Sequence, residues 1–191
     1  REIIAEIATI QGNPTLYSPF GDPNARTYQR SRRMPVSMTT LAPIQRLRLL
    51  RELERKVLWL SAWTIHHANH VRPNRDGLKV GGHQASCASL ATVMTALYFS
   101  VLRPEDRIAV KPHASPVFHA IQYLFGHQTR EKLERFRALG GAQSYPSRTK
   151  DVDDVDFSTG SVGLGVAITA FASLFQDYLV AHGRLAPADT G

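Results

Sequence analysis

Histidine, aspartate, serine and tyrosine gather in several short polar stretches that each run into a helix-like apolar segment. In "VGGHQAS", residues 80–86, His83 follows two glycines and precedes a run with helical spacing. Such a histidine sits on a pliable backbone beside a helix N-terminus, where free N–H groups and the helix dipole favour an anion such as a phosphate. "HHANH" sets His66 and His70 four apart, on one helix face, but without the glutamate of H-E-x-x-H, so these are read as helix-end histidines rather than metal ligands. "DVDDVD" offers Asp151, Asp153, Asp154 and Asp156 but lacks the glycine and distal glutamate of an EF-hand, so a solvated acidic loop is expected. Cys87 follows His83 by four residues; with no third orienting group in view it is read as a small buried residue rather than a thiolate nucleophile. "GSVGLG" is a weak glycine pattern that close helix packing would also explain.

The elements that must hold these residues follow from periodicity and turn signals. Residues 1–42, with "GNPTLYSPFGDPN", have little apolar periodicity and are read as an irregular arm. From Pro43, Leu47, Leu50, Leu53, Val57 and Leu60 predict an amphipathic helix to about Ala68. Leu90, Val93, Met94, Leu97 and Val101 predict a second, with Ser86 or Ser89 as N-cap. "RIAVK", residues 107–111, is the best strand candidate, short and apolar as a buried parallel strand is. Ser115 and Pro116 open a third helix that Gly126 ends, Thr129 caps a fourth running to Leu139, and a fifth spans about Gly165 to Ala181.

With 191 residues, 43% hydrophobic and 20% charged, the chain can bury a core and is not disordered as a whole. Apolar runs such as "VGLGVAITAFASLF" fall short of the roughly 18 to 20 residues of a membrane span, so none is expected. The net charge of +7 is spread out, with a local cluster only at "YQRSRR", and nucleic acid is not the expected partner. A lone cysteine suits a reducing, cytoplasmic setting. Arg1 at the start and "APADTG" at the end read as cut ends.

Taken in order, "RDGLKVGGHQAS", "LATVMTALYFSVLRPEDRIAVKPHASPVFHAIQYLFG", "LERFRALGGAQSYPS" and "FSTGSVGLGVAITA" resemble the thiamine diphosphate enzymes of the transketolase and homodimeric pyruvate dehydrogenase group, over about residues 52 to 182. The resemblance implies an α/β fold: the helix-rich portion of a three-layer α/β/α cofactor-pyrophosphate domain with a short parallel sheet, spanning residues 43–191 behind the arm. It implies that His83 and His113 are the two active-site histidines and that Ser86 is a neighbouring cofactor contact. Tyr145 matches the tyrosine lining the active site, and Gly160, Ser161, Val162 and Gly163 match the loop supporting the aminopyrimidine.

The family pattern has glutamine and glycine where this chain has Lys111 and Pro112, and methionine where it has Val162. Proline removes a donor and fixes φ, and valine is a smaller wedge. The glycine-aspartate-glycine motif for magnesium is absent, so the metal ligands, like the family's activating glutamate, are expected beyond this chain, and the segment alone is expected to be inactive. The implied activity is decarboxylation of a 2-oxo acid by a homodimeric enzyme with thiamine diphosphate and magnesium, with membership of a multienzyme complex left open. The alternatives are a transketolase moving a two-carbon ketol unit from a sugar phosphate and a non-catalytic domain that keeps the fold.

Overall fold

The computed structural model describes residues 41–74, 76–187 and 190, so the predicted arm lies outside the described residues but for its last two. Helix α1, Pro43–His66, opens on a proline at its first turn, and the Gln45 side chain accepts the Ala42 N–H at 3.2 Å. Its buried stripe is Leu53, Val57, Ser61, Thr64 and Ile65, whereas Leu47 stays exposed. Two polar residues can lie in that stripe because each hydroxyl donates to its own helix, Ser61 to Leu58 at 3.0 Å and Thr64 to Leu60 at 2.8 Å. A widened π-type turn, His67–Val71, carries the helix to Arg72.

Helix α2, Gln84–Ala96, ends in a second such turn, Leu97–Val101. Its N-cap is His83, without a side-chain cap bond, so Ser86 and Ser89 lie inside the helix rather than capping it. Helix α3, Ser115–Leu124, is entered through a 3-10 turn, Pro112–Ala114. Ser115 and Pro116 are thus its first two residues and Ala114 its N-cap, one position before the expected cap. Every residue of α3 from Ser115 to Gln122 is buried, and α3 packs against α1 and α2 around Val57, Met94, Tyr98, Phe118 and Ile121.

Thr129 caps α4 as expected, accepting the Lys132 N–H at 3.3 Å. That helix is only Arg130–Glu134, because the chain then tightens through turns in which Arg137 adopts φ 61°. Helix α5, Leu164–Ala181, follows Gly163 at φ 81° and buries none of its residues. By length and composition alone, both α5 and the stretch Gln84–Val101 reach what a membrane span requires, which corrects the expectation that the apolar runs fall short.

Among the described residues there is no β-strand, so the architecture is helix-rich and the expected parallel sheet is not seen. The segment 107–111 forms no strand and has none beside it among the described residues. Its backbone groups are met by side chains: the Ile108 N–H donates to Asp156 at 2.9 Å, and the Val110 carbonyl accepts from Thr159 at 2.9 Å.

Candidate active site

The glycine pair before His83 is required by its surroundings. Gly82 has φ 132°, and a Cβ there would lie 2.8 Å from the Ile65 side chain. Asn69 ties the loop to the end of α1: its amide accepts the Gly81 N–H at 2.8 Å and donates to the Gly81 carbonyl at 3.0 Å. Arg137 reaches the neighbouring Val80 carbonyl at 2.8 Å. The loop that delivers His83 is therefore pinned from two sides.

His113 is fixed through its backbone. It lies in the 3-10 turn before α3, and the Cys87 thiol donates to its carbonyl at 3.5 Å. Cys87 is buried, and burial pushes its pKa to about 11, with the Val117 backbone only partly offsetting it. The thiol is therefore a packing group that holds His113, as the sequence reading expects.

The two histidines converge. The rings of His83 and His113 lie 4.5 Å apart at an angle of 59°, and both residues are exposed. His113 also lines a cleft of about 570 Å³ with Lys111, Pro112, Tyr145 and Gly160, Ser161, Val162 and Gly163. Gly160 lets the loop approach the Tyr145 ring closely, since a Cβ would come within 3.1 Å of it. Val162 is 86% exposed. Ser86 does not line the cleft; it is half-buried in the first turn of α2, and its carbonyl accepts from Ser89 at 2.9 Å. A second cleft of about 910 Å³, lined by Arg137, Gln143, Lys150 and Tyr145, opens on the other side of the tyrosine.

The aspartate loop overturns its sequence reading. Asp153 and Asp156 are buried, and Asp153 pairs with the ring Nδ1 of His119, itself fully buried. His119 Nε2 meets the Gln143 carbonyl at 2.6 Å. Desolvation alone would lower the His119 pKa, but the Asp153 bond and charge, the Gln143 carbonyl and the charge of Asp151 outweigh it and leave it raised. Burial pushes Asp151 up, against the pull of His119 and of two backbone N–H groups. His119, Asp151 and Asp153 form a cluster close enough to hold a cation, whereas His66 and His70, with rings 5.0 Å apart, have no such third partner among the described residues.

Asn69, Arg137 and His119 were missed by motif reading. Asn69 sits inside "HHANH", whose histidines are the more obvious chemistry, and no periodicity in "DVDDVD" separates the buried Asp153 and Asp156 from Asp151 and Asp154.

Comparisons bear on this arrangement. Over 139 residues the chain is 32% identical to the pyruvate dehydrogenase E1 component of Mycolicibacterium smegmatis, which is 67% of this chain and 14% of that protein. It is 29% identical over 146 residues to that of Escherichia coli K12, covering 72% of this chain and 16% of the relative. With that of Pseudomonas aeruginosa it shares 31% over 140 residues, 69% of this chain and 16% of the relative. The chain is similar to part of the pyruvate dehydrogenase E1 component. It spans about one-seventh of the length of these relatives. The transketolase alternative gains nothing from these E1 relatives. No protein-family model matches, and no solved structure is significantly similar.

Proposed function

We propose that the chain forms one wall of the active site of a thiamine diphosphate-dependent enzyme of the pyruvate dehydrogenase type, acting on a 2-oxo acid with pyruvate as the first candidate. The observation that carries this is the meeting of His83 and His113, rings 4.5 Å apart, beside a cleft that His113 lines with Tyr145 and the 160–163 loop. Similarity to E1 components supports the same reading. In it, the segment 107–111 is one strand of a parallel sheet completed outside the described residues, and the complete enzyme is a cytoplasmic homodimer working within a multienzyme complex.

The cleft lining suits a diphosphate. Arg107, Lys111, His113, Tyr145 and Ser161 bring positive charge and hydrogen-bond donors, and the first N–H groups of α5 follow Gly163. No carboxylate is among its lining residues, and in this reading the carboxylate ligand of the magnesium comes from elsewhere in the complete enzyme. Thiamine diphosphate, when bound, supplies the carbanion and the electron sink for cleavage beside a carbonyl. In this reading His83 and His113 offer imidazole nitrogens that donate to a substrate oxygen or exchange a proton with it. Val162, exposed at the tip of its loop, is placed to prop the cofactor's pyrimidine.

The test uses the complete protein with thiamine diphosphate, magnesium, pyruvate and an artificial electron acceptor. Turnover is expected, and His83→Ala should lower kcat/KM at least about tenfold, roughly 1.4 kcal/mol of transition-state stabilisation. Turnover only with a ketose phosphate and an aldose acceptor would replace the reading with transketolase, and turnover with neither that pair nor any of a panel of 2-oxo acids would overturn the enzyme reading.

A further inference from the structure

Open clefts and bare helix faces carry little in a chain that spans 14% to 16% of its relatives, because further sequence can cover them. The network around His119 is already enclosed by this chain: the imidazole and the Asp153 carboxylate are both 0% exposed. We propose that His119, Asp153 and Asp151 form a polar brace that positions Tyr145, gripping the backbone on both sides of it. The active-site role of Tyr145 rests on the function proposed above; the brace itself rests on geometry alone.

The hydrogen-bond directions follow from the partners. The Gln143 carbonyl can only accept, so His119 Nε2 carries a hydrogen and donates to it at 2.6 Å. Nδ1 faces Asp153 Oδ2 across a single shared proton, while Asp153 Oδ1 accepts from Gln128 Nε2 at 2.9 Å. Gln128 Oε1 in turn accepts the Thr129 N–H at 2.9 Å, which anchors the pair in the turn before α4. Asp151 spans the segment from the other side: Oδ1 accepts the Gln143 N–H at 3.0 Å, and Oδ2 accepts the Ser147 N–H at 2.8 Å. Gln143 is thus held by both its backbone groups, and so is Ser147, whose carbonyl accepts the Asp151 N–H at 3.0 Å, with Ser144, Tyr145 and the buried Pro146 strung between them.

The charges facing His119 are Asp153 and, further off, Asp151; Phe118 and Phe136 present rings to it. A cation is not needed to explain the cluster. Both nitrogens of His119 and both oxygens of Asp151 are already spent on hydrogen bonds within the fold. The consequence for the site is geometric. His113 lies on the turn entering α3 and His119 in its middle, so one buried helix sets the position of His113 directly and that of Tyr145 through Gln143.

Arg148 and Lys150 stand exposed in the braced loop and make its opening visible to trypsin. In the complete protein, His119→Phe/Asp153→Asn removes the Gln143 tether without stranding a buried charge, and Asp151→Asn weakens the second grip alone. Cleavage after Arg148 and Lys150 should accelerate at least about tenfold in the first variant and several-fold in the second, since local opening controls the rate. Wild-type cleavage rates in Asp151→Asn, which leaves the buried pair intact, would overturn the brace even where the double variant does not fold. With pyruvate, each variant should lower kcat far less in a Tyr145→Phe background than alone, because the brace acts through that side chain. Additive losses would show a merely structural role and overturn the assignment. Absence of turnover by the wild-type protein with pyruvate or any of that panel of 2-oxo acids would remove the proposed function, while the trypsin comparison would still decide the brace.

Discussion

Helices α3 and α5 invert the usual rule that the more apolar helix is the more buried. α3 carries Ser115, His119 and Gln122 and is enclosed from its first residue through Gln122, whereas α5 is richer in apolar residues and buries none. Phe118 is 1% exposed in α3; Phe171 is 71% and Phe175 60% exposed in α5. The difference lies in what surrounds each helix. α3 has α1 and α2 on its flanks, its His119 is met by Asp153 and Gln143 and its Gln122 by His127 and the Asp154 N–H, and of its three polar residues only Ser115 keeps a buried hydroxyl without a hydrogen-bond partner among the described residues, while α5 buries none of its residues against the other described elements. A polar helix is tolerated in a core when most of its groups find partners, and apolar character by itself secures no burial.

Stranding one partner inside α3's enclosure should cost the molecule most. Asp153→Ala leaves the His119 ring and the Gln128 amide without their acceptor, and urea unfolding should show a loss of about 3–5 kcal/mol. A loss below about 1 kcal/mol would mean that water reaches the pair and that the enclosure is not what the geometry describes.

The charge in that enclosure can be read by pH. The His119 pKa is raised above its ordinary 6.5, so its stabilising contribution is full below the unfolded value and is lost as pH rises through the folded one. The stability gap between wild type and His119→Phe/Asp153→Asn should therefore narrow with increasing pH, starting above 6.5, by about 1.4 kcal/mol per unit until the folded pKa is passed. A gap that stays flat above 6.5, having widened only as pH rose toward that value, would show that His119 is buried neutral. Beneath the same network, the Thr129 cap carries a smaller share: Thr129→Ala frees the Lys132 N–H and should cost about 1 kcal/mol.

What was legible in the sequence divides along the same line. Helices α1, α2, α3 and α5 follow from periodicity and from Pro and Gly punctuation, because those signals are local. His113, Tyr145 and residues 160–163 line one cleft, and the His83 ring lies 4.5 Å from that of His113 without lining it. Missing from any local reading were the bonds that close over long sequence separations: Asn69 to Gly81, His119 to Gln143 and Asp153, and Asp156 to Ile108. A buried aspartate and a solvated one have the same letter, and only the partner across the fold separates them. The segment 107–111 illustrates the same limit, since its composition suits a strand while its neighbours here are side chains.

The smallest expected effect is the most discriminating for α5. Phe175→Ala removes a side chain that is 60% exposed, so in the 191-residue chain the unfolding free energy should change by no more than about 0.5 kcal/mol. Phe118→Ala, removing the same ring from the enclosed helix, should cost about 3–5 kcal/mol by the lost transfer energy and the cavity left behind. The same pair of substitutions in the complete protein turns this contrast into a measurement. If Phe175→Ala stays near zero there, α5 is an exposed apolar helix in the finished molecule. If its cost climbs toward that of Phe118→Ala, the face is buried by sequence outside this chain or by a second copy, and the inversion between the two helices belongs to the segment rather than to the enzyme.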